Sequence, residues 1–99
     1  MQISEIMMSQ RKLRAVEQLS DFISVLNNGG YLTPITLLRC QDDVIQVDDG
    51  HHRLCAIWLS GRRILEYGEY LIVESERNRP RFGLVTDLLD RCGITLEDP

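Results

Sequence analysis

Residues 44–61 read VIQVDDGHHRLCAIWLSG, and this junction restricts the fold more than any other part of the chain. A short β-prone run passes through Asp48, Asp49 and Gly50 into LCAIWL, an almost unbroken apolar stretch that only Gly61 stops. A helix made of such residues has to be covered on most of its sides, and a strand feeding it through a glycine turn places it in a layered domain. The expectation is a helix over 51–60 that enters from its strand at Gly50. The fold class that follows is α/β (α+β), a small mixed sheet with flanking helices.

The rest of the chain supplies the remaining layers. Leu13, Val16, Leu19, Phe22, Ile23 and Leu26 recur every three or four residues and predict a helix over 11–27. NNGG at 27–30 ends it, because glycine accepts the left-handed conformation common at helix C-termini. TPITLLR at 33–39 predicts a strand with Pro34 at its beginning, where a missing N–H does least damage to the ladder. Asp42 and Asp43 read as turn formers ahead of VIQV, and Asp48 to Gly50 as the break after it. YLIVE at 70–74 is a further strand. Beyond the Arg-rich SERNRPR, Leu84, Val85, Leu88 and Leu89 outline a short helix that Gly93 terminates. No repeat or linker divides the chain, so residues 1–99 read as one domain.

At 99 residues the chain can bury one core, and 43% apolar with 26% charged residues is the composition of an ordinary globular protein. No apolar run approaches the ~20 residues that cross a bilayer, and the first residues show no signal pattern. A cytoplasmic protein without membrane contact is expected. Cys40, Cys55 and Cys92 cannot all pair with one another and lack CxxC spacing, which favours reduced, partly buried thiols. Trp58 lies inside the apolar helix and is expected in the core. The net charge of −4 opposes a protein that coats DNA non-specifically. The basic residues do cluster, as Arg11, Lys12 and Arg14, as Arg53, Arg62 and Arg63, and as Arg77, Arg79 and Arg81, so a fold that gathers two groups would create a local anion-binding face.

Most of the chemically useful side chains sit at the junction itself. A strand, a glycine turn and a buried helix aim free backbone N–H groups and the positive end of the helix dipole at whatever occupies the turn. Gly50 lets an anion approach the backbone, the N–H groups of His51, His52 and Arg53 are left over at the helix start, and Arg53 offers a planar fork suited to phosphate oxygens. His51 and His52 suit acid–base work or phosphate donation, or simply cap the helix. Asp48 and Asp49 can hold Mg²⁺ on a bound nucleotide, act as a base toward a hydroxyl, or cap the turn. Arg53 can instead pair with Asp48 or Asp49 to hold the turn. His52 and Cys55 share a helix face, but without further ligands at suitable spacing no metal site is expected.

YLTPITL at 31–37 followed by VDDGHHRLCAIWLSG at 47–61 resembles the ParB/sulfiredoxin superfamily. In that superfamily a helix and an x-x-P-I-x-V strand precede a second strand and a GERRxRAxxxxG or DGHHRxxAxxxxG helix start. The similarity covers residues 3–73, with 74–99 as a C-terminal connection and short helix, and Gly50, Arg53, Ala56 and Gly61 fall on the motif. The resemblance implies a ParB-like nucleotide-binding domain. Its ligand would be CTP, as in ParB proteins, or ATP or ADP, as in sulfiredoxins and ParB-like kinases, with or without Mg²⁺. Gly50, His51, His52 and Arg53 would hold the phosphates. In any hydrolysis or phosphoryl transfer Arg53 and the N–H groups from His51 onward would stabilise the transferring group, and Asp49 or His52, the candidate catalytic residues, would position the acceptor. Sulfiredoxins have a cysteine where this chain has His51, and Cys55 lies a helical turn further on, so their thiol chemistry is not expected. The residues after Val73 are too few for the DNA-site-reading and dimerisation domains of a full ParB.

Three functions from different classes follow. The first is a nucleotide-binding module with phosphate chemistry. The second is a non-catalytic regulator of plasmid or phage type that binds a nucleotide or a protein partner. The third is a DNA-backbone binder or nuclease, which the acidic balance disfavours.

Overall fold

The computed structural model describes residues 1–77 and 79–94. A single 3₁₀ turn at Ile3–Glu5 leads into β1 (Ile6–Met7), followed by α1 (Gln18–Asn27), β2 (Ile35–Arg39), β3 (Ile45–Asp49), α2 (His51–Leu59), β4 (Tyr70–Glu74) and α3 (Val85–Arg91). The strands form one sheet in the order β1-β3-β2-β4. β2 and β3 are an antiparallel hairpin, while β1 runs parallel to β3 and β4 parallel to β2. The mixed sheet with its helices is the α/β class expected from the junction.

Helix α2 explains its own composition. Leu54, Cys55, Ala56 and Ile57 are all buried, and they pack in one core with Ile35 and Leu37 of β2, Val47 of β3, Leu19 of α1 and Leu88 and Leu89 of α3. Neighbours on several sides are what an unbroken apolar run requires. Burying such side chains stabilises the fold by about 1.5–3 kcal/mol each in area terms. Trp58 does not join them fully: it is half-buried, with the Arg63 guanidinium 3.7 Å above its ring centroid. The rest of its face is covered by a cation rather than by apolar side chains.

Three segments depart from the sequence reading. The helix predicted over 11–27 begins only at Gln18. The amides ahead of it are engaged elsewhere: Leu13 N–H donates to Cys92 Sγ at 3.4 Å and Ala15 N–H to His52 Nε2 at 3.1 Å. Leu13 reaches the core without helical backbone, and Val16 is 37% exposed. Strand β3 runs through both aspartates, with Asp49 opposite Thr36, so the break rests on Gly50 alone. The N-terminal 3₁₀ turn and β1 were not anticipated, yet Ile3, Ile6 and Met8 are fully buried.

The chain after β4 crosses the sheet like a strap. Gln46, wholly buried on β3, donates from Nε2 to Arg79 O at 3.0 Å and accepts the Arg79 N–H on Oε1 at 3.2 Å, as one peptide unit pairs with another. Cys40 Sγ also donates to that oxygen, at 3.0 Å. Arg79 reaches Asp48 at 2.6 Å, and Arg81 makes a bidentate contact with Asp42. Two cations of the Arg-rich run are thus matched by aspartates of the hairpin. Asp42 also accepts Val44 N–H, and Asp43 takes a positive φ of 64°, so both shape the β2–β3 turn.

Candidate functional site at the start of helix α2

Gly50 adopts a φ of +113°, a conformation that side chains rarely tolerate. A Cβ there would lie 3.1 Å from both Arg53 Nη2 and Ile35 Cγ1. The glycine therefore makes room for Arg53 and for a core residue as well as turning the backbone. The first helical hydrogen bond runs from Leu54 N–H to Gly50 O at 2.9 Å. The N–H groups of His51, His52 and Arg53 precede it and lie beyond the reach of helical acceptors. A cleft of about 200 Å³ adjoins this helix start, lined by Gln10, Gln18, Phe22, Asp48, Asp49, Gly50, His51, His52 and Arg53. All six residues singled out from the junction, Asp48 to Arg53, line it. Gln10 and Gln18 carried no signal in the sequence, and Phe22 was read only as part of the apolar stripe of α1. The Gln10 Oε1 atom is buried and makes no hydrogen bond.

Both imidazoles act as acceptors toward the segment that lies across the helix start. His51 is 3% exposed, and its Nε2 accepts the Ser9 N–H at 3.0 Å, with Ser9 Oγ 3.3 Å away. Ser9 Oγ in turn donates to Val47 O. His52 Nε2 accepts the Ala15 N–H. A ring nitrogen that accepts from an amide is unprotonated, so both rings sit in the neutral form. Burial pushes the His51 pKa down to about 4; the neighbouring His52 and Arg79 add to this, while Asp49 and Asp48 oppose it. Burial also lowers the pKa of His52, against the pull of Glu17. The pair is a clamp on residues 9–15, and the Nε2 lone pair of His52 is occupied.

Arg53 is anchored on one side and open to exchange on the other. Nη1 donates to the carbonyls of Thr33 and Pro34 at 2.9 and 3.0 Å, tying the approach to β2 onto the start of α2. Nη2 reaches Asp49 Oδ2 at 3.2 Å, and the Asp49 side chain is 79% exposed. The pairing with Asp49 is the structural role foreseen as the alternative to a free phosphate fork. Asp48 is held by Arg79 from the strap, an alignment that no spacing in the sequence reveals.

Four arginines of the second and third cationic clusters are already paired with carboxylates. Besides Arg53, Arg79 and Arg81, Arg62 forms a bidentate pair with Glu69, a contact that holds the Glu69 carboxyl below the usual range. Cys55 is buried, and desolvation pushes its thiol up to about 12, with the adjacent Cys92 adding to the effect. It is an inert core group. Among the described residues no three His, Cys, Asp or Glu side chains gather as a metal site. A larger cleft, of about 700 Å³, lies between the 26–34 and 60–69 segments, and none of Asp49, Gly50, His51, His52 or Arg53 lines it.

Comparison with protein-family models, with curated proteins and with solved structures finds no match to this chain.

Proposed function

We propose that the cleft at the start of α2 holds the phosphate end of a nucleotide, CTP or ATP/ADP, and that the chain is a ParB-like nucleotide-binding domain of the DGHHR type. One observation carries the reading: a helix start, whose first N–H groups have no helical acceptor, and an anchored guanidinium line one polar cleft. Its volume of about 200 Å³ falls below the roughly 300–1,000 Å³ of sites that enclose a whole small molecule, so it suits a phosphate group with the nucleoside outside. The residues fit such a group with one reservation of charge, the exposed Asp49 carboxylate beside it. Asp49 would be the residue to hold Mg²⁺, whose charge would offset that repulsion, and Arg53 would give up only its Asp49 contact to a bound phosphate.

Binding without turnover is the form of this reading best supported. The His52 Nε2 lone pair is taken by Ala15, and His51 is buried and bonded to Ser9, which leaves Asp49 as the accessible candidate base. A regulatory switch in a cytoplasmic plasmid or phage setting follows more readily than a kinase. DNA-backbone binding has less support, since Arg79 and Arg81 are already paired.

The test is a thermal-shift titration of CTP, ATP and ADP with and without Mg²⁺. Ligand at 100 times its Kd adds about 2.7 kcal/mol to apparent stability. An Mg²⁺-dependent rise with one nucleotide and no product formation is expected. Absence of any rise across the set would remove the proposal, and nucleotide turnover would replace the switch with an enzyme.

A further inference from the structure

Strand β4 forms one edge of the sheet, and its hydrogen-bonding phase is fixed at both ends. Ile35 N–H donates to Glu69 O and Ser75 N–H to Arg39 O, each at 3.0 Å, on either side of the parallel register Ile35–Tyr70 to Arg39–Glu74. In a parallel ladder with that phase, Leu71 and Val73 direct their N–H and C=O groups toward β2. Tyr70, Ile72 and Glu74 direct theirs outward, where no strand among the described residues lies. An open edge of this kind is a template for another strand, and proteins usually blunt it with Lys, Pro, a bulge or extreme shortness. Strand β4 has none of the first three and is five residues long, whereas β1 at the opposite edge has two.

The side chains select the occupant. Leu71 is 61% and Val73 47% exposed on the same face of the edge strand. We propose that a second copy of this chain pairs with β4 antiparallel to itself, about a two-fold axis through Ile72, to make a continuous eight-stranded sheet. This register pairs Ile72 with its counterpart and Tyr70 with Glu74, so every outward N–H and C=O of the three residues meets a partner. Leu71 then faces the partner's Val73 at a non-hydrogen-bonded pair, where opposing side chains come closest. No like charges oppose each other, because Glu74 faces Tyr70. Moving the axis to Leu71 or Val73 keeps outward groups opposite each other but sets Val73 against Glu69 or Leu71 against Ser75, so both apolar pairs form only with the axis at Ile72. At this register the surface complements itself in both backbone and side chains.

Sedimentation velocity up to about 1 mM protein, the weakest association worth assigning, is the first measurement. A monomer–dimer equilibrium is expected, abolished in Leu71→Lys/Val73→Lys, whose exposed side chains leave the fold intact by circular dichroism. Amide hydrogen exchange of the wild type at low and high concentration is the second. Protection at Tyr70, Ile72 and Glu74 should rise with concentration, while Leu71 and Val73, bonded to β2, stay protected throughout. A monomer at the highest concentration overturns the proposal, as does a dimer that survives the double substitution. Dimerisation with unchanged exchange at Ile72, or growth into open-ended oligomers, overturns it as well.

Discussion

His51 Nε2 accepts the backbone N–H of Ser9 at 3.0 Å, so the first residue of α2 holds the segment that closes one wall of the cleft. The bond exists only while the ring is neutral. With its pKa lowered from 6.5 to about 4 in the fold, His51 binds fewer protons folded than unfolded between those values. Stability therefore rises with pH across this window, is complete above about 6.5 and is lost as pH falls toward 4. The contribution is at most about 3 kcal/mol. Urea denaturation at pH 7, 5.5 and 4.5 should show this slope in the wild type and a flatter one in His51→Gln. Equal slopes would show that another group governs acid sensitivity.

Arg53→Ala removes the bonds that join Thr33 and Pro34 to the helix start, and the free protein should lose about 1–3 kcal/mol. Arg53→Lys should recover only part, since an ammonium does not reproduce the planar fork. Asp49→Asn, which touches an exposed pair, should change stability by less than about 1 kcal/mol while relaxing the Mg²⁺ dependence expected of the proposed nucleotide binding. Chemical denaturation and nucleotide titration of the three variants separate scaffolding from ligand contact. An Arg53→Ala protein as stable as the wild type contradicts the anchoring role.

At Gly50 even a methyl group has to fit a φ of +113° and 3.1 Å approaches to Arg53 and Ile35. Gly50→Ala should cost about 1–3 kcal/mol from backbone strain alone, and Gly50→Val more, because a β-branched chain also has to displace the guanidinium. An unchanged melting temperature in Gly50→Ala would mean that the turn relaxes freely.

Gln46→Leu keeps approximate size but strips Arg79 of its peptide-like partner, leaving an N–H and a carbonyl facing an apolar side chain. A loss of about 2–3 kcal/mol is expected, with faster proteolysis between Glu76 and Arg81. If cleavage there stays at the wild-type rate, the ion pairs of Arg79 and Arg81 hold the strap without the glutamine.

The sequence was most informative where one residue type dominates. LCAIWL and YLIVE gave α2 and β4 nearly to the residue, because a helix buried on several sides and a strand with β-branched residues have few other conformations. The run from Leu13 to Leu26 has helical spacing throughout, yet its first third is held by Cys92 and His52, partners distant in sequence that periodicity does not register. Gln46 has the opposite character: a polar letter in a strand, wholly buried because a distant peptide group matches its amide. At the site, composition marked Asp49 to Arg53 as a group. Which of them are already bonded depended on Ser9, Ala15, Thr33 and Pro34, whose contributions are backbone atoms that side-chain identity does not reveal.

The strand order β1-β3-β2-β4 also sets a sequence of assembly. Only β2 and β3 are joined by a short turn, and such hairpins close in about 1–10 μs. Each parallel pairing has to wait for a longer loop, β1 with β3 around α1 and the hairpin, β4 with β2 around α2. The contacts of His51 and His52 with residues 9–15 belong to the first of these slow closures. The cleft is thus among the last parts to be completed during folding. A molecule seated there would delay the release of the N-terminal segment before it slowed the melting of the hairpin.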